Sequence, residues 1–199
     1  MTSDTQAINA GRRAENIVLT VLEKLPEPWQ VFHTLEWRTV HENLGEKIGE
    51  ADVVIFHPFY GLLIMEIKAG AVNIREGVWY YESGNLMKQS PFAQARRNRY
   101  ALTEKLQNRL SKGEVNPLAI THAVWFPEIN WIGPLPSADA PSHAFLFDRS
   151  SLANPEAALI KLWEDAAPNA VKWSPHQQRI LKEILAPDCH GGFNSEVQS

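Results

Sequence analysis

The stretch GEADVVIFHPFYGLLIMEIKAG, residues 49–70, holds two apolar runs on either side of a short turn signal. Asp52, Glu66 and Lys68 stand at one end of those runs, where a buried hairpin ordinarily carries valine or leucine. Centring the turn on Phe59 predicts an antiparallel pair with Val53 opposite Met65, Ile55 opposite Leu63 and Asp52 opposite Glu66. Side chains alternate faces with period two, so Val53, Ile55, Leu63, Met65 and Ile67 form one apolar face. The other face carries Val54, Phe56, Leu62 and Ile64, then gathers Asp52, Glu66 and Lys68 at one end.

Two neighbouring carboxylates repel, and a poorly solvated charge is costly unless it is paired or metal-bound. A divalent cation resolves the conflict. Magnesium takes oxygen ligands, typically one or two carboxylates completed by waters and substrate phosphates. Asp52 and Glu66 supply such carboxylates, and the Ile67 carbonyl is a candidate third oxygen. Lys68 can orient an attacking water or offset the charge that builds on a phosphate. The set points to phosphodiester hydrolysis. Taken alone, the same residues also suit a structural ion cluster in which Lys68 bridges two acids.

Around this hairpin the pattern predicts a helix over 6–25, ended by Pro26 and Pro28, and a strand over 29–37. The polar run HENLGEKIGE, 41–50, reads as a loop. A small hairpin is expected within 71–90, with turns at Glu76-Gly77 and Ser83-Gly84. A long helix should start at Pro91 after Ser90 and reach Leu110. Strands are expected over 118–126 and 143–148, then helices over 155–165 and 175–185, and a disordered tail.

In this order the elements resemble the nuclease-related domain (NERD) family of the PD-(D/E)xK, restriction-endonuclease-like nucleases. The resemblance is carried by Gly11 and Glu15 in the first helix, Glu50 with Asp52, and MEIKAG with Glu66 and Lys68. Further along it is carried by GVWYY with Trp79 and by SPFAQARRN with Pro91 and Gln94. Ala51 stands where the superfamily's name has proline. The likeness implies an α/β fold in α-β-β-β-α-β order, a central mixed β-sheet flanked by helices. It also implies a magnesium- or manganese-dependent nuclease acting on DNA in repair, processing or defence. Matching position gives Glu15 as a supporting acid at the site and Gln94 as a contact to the site or substrate.

Residues 88–112 carry seven basic side chains against Glu104 alone, a local charge of +6 in a chain of formal charge -4. Lys88, Arg96, Arg97 and Arg99 are therefore candidate contacts to a DNA backbone, which give affinity rather than sequence information. A solvated helix face is the alternative. Tyr100 and Leu102 are expected in the core.

One cysteine, Cys189, excludes an intrachain disulfide and a multi-cysteine zinc site. The histidines lack metal-ligand spacing, and no phosphate-loop motif for ATP is present. No apolar run is long enough for a membrane span, so a cytoplasmic protein is expected. The domain reading is a nuclease-like domain over 1–150 and a helical extension over 151–199. In the extension, VKWSPHQQRILKEI, 171–184, resembles the glutamine-bearing segment ahead of the nucleotide loop in DNA helicases, which implies a helicase domain or protein as partner. An amphipathic helix packing Ile180, Leu181 and Ile184 on the core explains it equally well. Two non-catalytic readings stay open. One is a DNA- or helicase-binding module; the other is an assembly domain presenting Trp131 or Trp173.

Overall fold

The computed structural model describes residues 3–41, 45–136, 138–139 and 142–186, with backbone alone for 3–4, 34–41 and 45–50. The expected tail and the side chain of Glu50 lie outside the described residues. Helix α1 (Ser3–Leu22) leads into the hairpin of β1 (Gln30–His41) and β2 (Gly45–His57), followed by β3 (Gly61–Ile67). A two-stranded unit, β4 (Val72–Arg75) and β5 (Val78–Tyr81), precedes α2 (Pro91–Arg109) and the short α3 (Lys112–Val115). Strands β6 (Ile120–Trp125) and β7 (Leu146–Phe147) are followed by α4 (Pro155–Ala166) and α5 (Pro175–Leu185).

The main sheet has five strands in the order β1-β2-β3-β6-β7. The first two pairings are antiparallel, and those of β3 with β6 and β6 with β7 are parallel. This is the mixed α/β sheet expected. The predicted register is found, with Val53 opposite Met65 and Ile55 opposite Leu63. Gly61 starts β3 at φ 135, and a Cβ there would stand 2.4 Å from the Ala119 carbonyl oxygen. Glycine lets β3 come close enough for the Leu62 amide to donate to that carbonyl at 2.9 Å.

Alternation divides the core into two layers. Val53, Ile55, Leu63, Met65 and Ile67 pack with Ala14, Val18 and Leu22 of α1 and with Leu159, Leu162 and Trp163 of α4. Val54, Phe56, Leu62 and Ile64 pack with Leu102 and Leu106 of α2 and with Ile180, Leu181 and Leu185 of α5. Ala51 joins this second layer although Val53 belongs to the first, so alternation is interrupted at Asp52. Such an interruption turns a side chain away from the regular pleat.

Several expectations are corrected. Gly45–Glu50, read as loop, pairs with β1 as strand. The strand expected over 143–148 is a 3-10 turn at His143–Phe145 followed by the two residues of β7. Tyr100 is exposed, whereas Leu102 is buried as expected. Trp173 is fully buried against Phe56 rather than presented at the surface, and its amide donates to the Pro58 carbonyl at 2.9 Å. In α5 both glutamines hold the helix in place. Gln177 closes a capping box with Ser174 and donates to the Glu114 carbonyl, and Gln178 donates to the Trp173 carbonyl.

Candidate active site at the end of the central hairpin

Lys68 follows the last residue of β3, and its amide donates to the Trp125 carbonyl at 2.9 Å, continuing the parallel pairing with β6. That bond fixes the backbone from which the site projects. Glu66 is 3% exposed, and its Oε1 accepts from Lys68 Nζ at 2.6 Å. Lys68 Nζ also donates to Gln94 Oε1 at 3.2 Å. The ladder between β2 and β3 ends at Val53 and Met65. Beyond it, Asp52 Oδ2 accepts from the Ile67 amide at 2.7 Å, so a side chain continues the pairing.

The charges of this cluster are coupled. Burial pulls the Lys68 ammonium down, but Glu66, Asp52 and the Tyr81 phenol outweigh it and hold the pKa above the usual lysine range. Lys68 is therefore held as a cation beside these acids.

Gln94 is placed by its helix. Ser90 Oγ accepts from the Ala93 amide at 3.0 Å, and Pro91 occupies the first turn, which fixes where α2 begins. Ser90 Oγ also donates to Asp139 Oδ1 at 2.5 Å, and the Trp79 indole donates to Asp139 Oδ2 at 2.9 Å. Asp139 thus ties the β4–β5 hairpin to the start of α2. Between them lies a recess of about 470 Å³ lined by Lys68, Gln94, Lys88, Arg97, Tyr81 and Leu86, among others.

The predicted cations separate into two groups. Lys88 and Arg97 line the recess, and Arg97 donates to Gln89 Oε1 at 3.4 Å. Arg96 donates to the Ala138 carbonyl, and Arg99 stacks over the Tyr100 ring at 4.8 Å. Arg96 and Arg99 also act on the buried His122, whose pKa falls to about 4 through burial first and their charges second. Glu15 is half-buried on α1. The same helix is anchored near the site by Arg13, which pairs with Glu128 at 2.7 Å while Glu128 accepts from the Gly70 amide at 2.6 Å.

Among the described residues no three of His, Cys, Asp and Glu converge as a metal-binding group, so Glu15 does not complete a three-acid set with Asp52 and Glu66. The acids brought together here are Asp52 and Glu66, and the Ile67 carbonyl directly follows Glu66 in sequence. That composition fits magnesium, which keeps several waters and needs few protein ligands. Sequence reasoning missed Asp139, Glu128, Tyr81 and Leu86. Tyr81 and Leu86 come into play through the placement of the β4–β5 hairpin and Asp139 against α2, and Glu128 through its contacts with Arg13 and the Gly70 amide, none of which local spacing encodes.

A five-stranded mixed sheet flanked by helices, with an acid-acid-lysine cluster at the end of its central hairpin, is an α/β architecture compatible with the restriction-endonuclease-like fold. The model of the nuclease-related domain matches residues 10–127, more than half of the chain, and the chain belongs to that family. No curated protein and no solved structure gives a match. No helix among the described residues is long and apolar enough to cross a membrane.

Proposed function

We propose that the chain is a magnesium- or manganese-dependent nuclease that hydrolyses DNA phosphodiester bonds. The observation that carries this reading is the buried Glu66 carboxylate held 2.6 Å from the Lys68 ammonium, with Asp52 locked on the adjoining Ile67 amide. Acids and a cation kept together at a strand end, one of them almost wholly buried, suit a site that takes up further charge. Asp52 and Glu66, with the Ile67 carbonyl, would hold the cation. When bound, such an ion supplies Lewis acidity and lowers the pKa of a coordinated water.

The chain's own residues supply the rest. Lys68, cationic at neutral pH, stabilises negative charge developing on the phosphoryl oxygens in the transition state. Gln94 holds the Lys68 amine in position through its amide oxygen. Lys88 and Arg97 draw the flanking phosphates into the recess. The deciding assay compares plasmid, linear duplex and single-stranded DNA with and without divalent metal, beside Lys68→Ala. Cleavage that needs metal and is lost in the variant supports the proposal; cleavage unchanged by the substitution rejects it.

One observation favours a second reading, a non-catalytic module that binds DNA or a helicase. Among the described residues no third acid joins Asp52 and Glu66 as a metal-binding group, and Glu66 is already paired with Lys68. Calorimetric titration separates the readings, because a binding module would take up no metal in the millimolar range even with DNA present.

A further inference from the structure

The recess beside Lys68 is chemically uneven. Lys68, Lys88 and Arg97 give it positive charge, whereas Tyr81 and Leu86 give it an apolar flank. These two are among the large hydrophobic side chains left in solvent, at 47% and 59% exposure. They are not on a loose segment. The Tyr81 amide donates to the Asn85 carbonyl at 2.9 Å, the Gly84 amide donates back to the Tyr81 carbonyl at 2.9 Å, and Leu86 bridges Tyr80. Below them Met87 and Trp79 are buried in the core, and Trp79 is pinned by Asp139, which also holds the start of α2. The fold therefore spends a closed turn, a buried tryptophan and a shared carboxylate on fixing an exposed aromatic ring across from three cations.

We propose that Tyr81, backed by Leu86, is a stacking surface for an unpaired base of the substrate, so that this site takes single-stranded nucleic acid in preference to intact duplex. The inference rests on the nuclease reading above and adds the substrate class. Phosphates go to Lys68, Lys88 and Arg97, and the ring of the attached nucleotide lies against Tyr81. Aromatic stacking of this kind tolerates any base, because every base has a π-face. In a duplex both faces of each base are covered by its neighbours. Reaching Tyr81 would then require extruding a nucleotide from the stack, at the cost of unstacking and unpairing it. A preference for single strands, gaps or frayed ends follows.

The test is fluorescence anisotropy on the full chain with a labelled oligodeoxynucleotide and the duplex of the same length. It is run in chelator, and again in magnesium on the Lys68→Ala background. The expected result is tighter binding of the single strand by the unsubstituted chain. Tyr81→Ala should weaken single-strand binding about five- to a hundredfold and change duplex binding less than about twofold, and Tyr81→Trp should restore the single-strand affinity. Equal weakening of both substrates, no effect of Tyr81→Ala, or a preference for duplex would overturn the inference and leave the nuclease reading standing. Absence of binding to either nucleic acid would overturn both. Strand binding that depends on Tyr81 without metal-dependent cleavage would uphold the inference and reject catalysis.

Discussion

Lys68 Nζ lies 2.6 Å from Glu66 Oε1 while the two side chains are only 21% and 4% exposed. Removing one partner of a buried ion pair takes the nearest opposite charge from the other, which costs more than removing both. Lys68→Met should therefore lower stability by about 1–3 kcal/mol. Combining it with Glu66→Gln should recover most of that loss, because the buried charge is gone. Cleavage should be lost in both, by about a hundredfold or more, as expected when a group stabilising transition-state charge is removed. Chemical denaturation with the cleavage assay measures both quantities. Activity that recovered with stability in the double variant would make the pair purely structural.

Asp52 serves the backbone as well as the proposed ion. Asp52→Asn keeps an oxygen that can accept from the Ile67 amide, so the fold should persist. It removes one of the two carboxylates. Magnesium or manganese at ten times its dissociation constant should stabilise the unsubstituted chain by about 1.4 kcal/mol and Asp52→Asn much less. A thermal melt with and without metal reads this directly, and an equal metal-induced rise in Tm for both would remove Asp52 from the ligand set.

The split among the cations gives a salt experiment. Arg97 faces the recess, whereas Arg96 is turned to Ala138 and Arg99 to Tyr100. Each phosphate contact on a single strand contributes about 0.7 to the slope of log affinity against log salt. Arg97→Gln and Lys88→Gln should each flatten that slope by about this amount, and Arg99→Gln by far less. Equal slopes for Arg97→Gln and Arg99→Gln would restore the whole helix face as the contact surface.

What the sequence made legible is what local rules control. The period-two apolar runs determine the register of Val53 on Met65, and that register brings Glu66 and Lys68 to one end. Ser90 and Pro91 mark the start of α2 because a cap and a fixed φ act within one turn. Gly45–Glu50 was not legible as strand, because it extends an edge hairpin whose residues are polar and have no apolar alternation to show. The burial of Trp173 and exposure of Tyr100 depend on which helix meets which face, and composition does not encode that. The recess is hidden for the same reason, since the hairpin bearing Tyr81 and the helix bearing Arg97 are joined by tertiary contacts, among them Trp79 on Phe92 and the bonds to Asp139, more than forty residues beyond either Tyr81 or Arg97.

The turn between β4 and β5 carries a local conflict. Glu76 has φ 54 and Gly77 φ 78, the mirror-image turn that joins tight hairpins and favours Asn-Gly. A glutamate there is held in a left-handed conformation that it rarely adopts. Glu76→Asn should stabilise the protein by about 0.4–1 kcal/mol, seen as a Tm rise of about 1–4 °C, without touching the site. An unchanged or lower Tm would mean that Glu76 gains elsewhere what it loses in the turn.

His122 sits in β6 at 6% exposure with neither ring nitrogen hydrogen-bonded, near the ring of Phe145. Burial first, then the charges of Arg99 and Arg96, lower its pKa to about 4 from the ordinary value of 6.5. The folded state thus holds His122 neutral over a range where the unfolded chain protonates it. As pH falls through 6.5 the unfolded state binds the extra proton and gains on the fold. The loss grows until pH reaches about 4, where the folded state protonates as well, and it totals about 3 kcal/mol. Above 6.5 the full stability is present. His57, which burial also lowers, adds to the same acid loss, with Glu156 opposing that shift. His122→Leu keeps a side chain of similar size and binds no proton, so it should be no less stable at neutral pH and lose less stability between pH 6.5 and 4. Denaturation midpoints for the two proteins across that window make the comparison, since His57 and the carboxylates are common to both. Parallel curves would show that His122 takes up its proton in the folded state over the same pH range as in the unfolded chain, so that the fold does not lower its pKa.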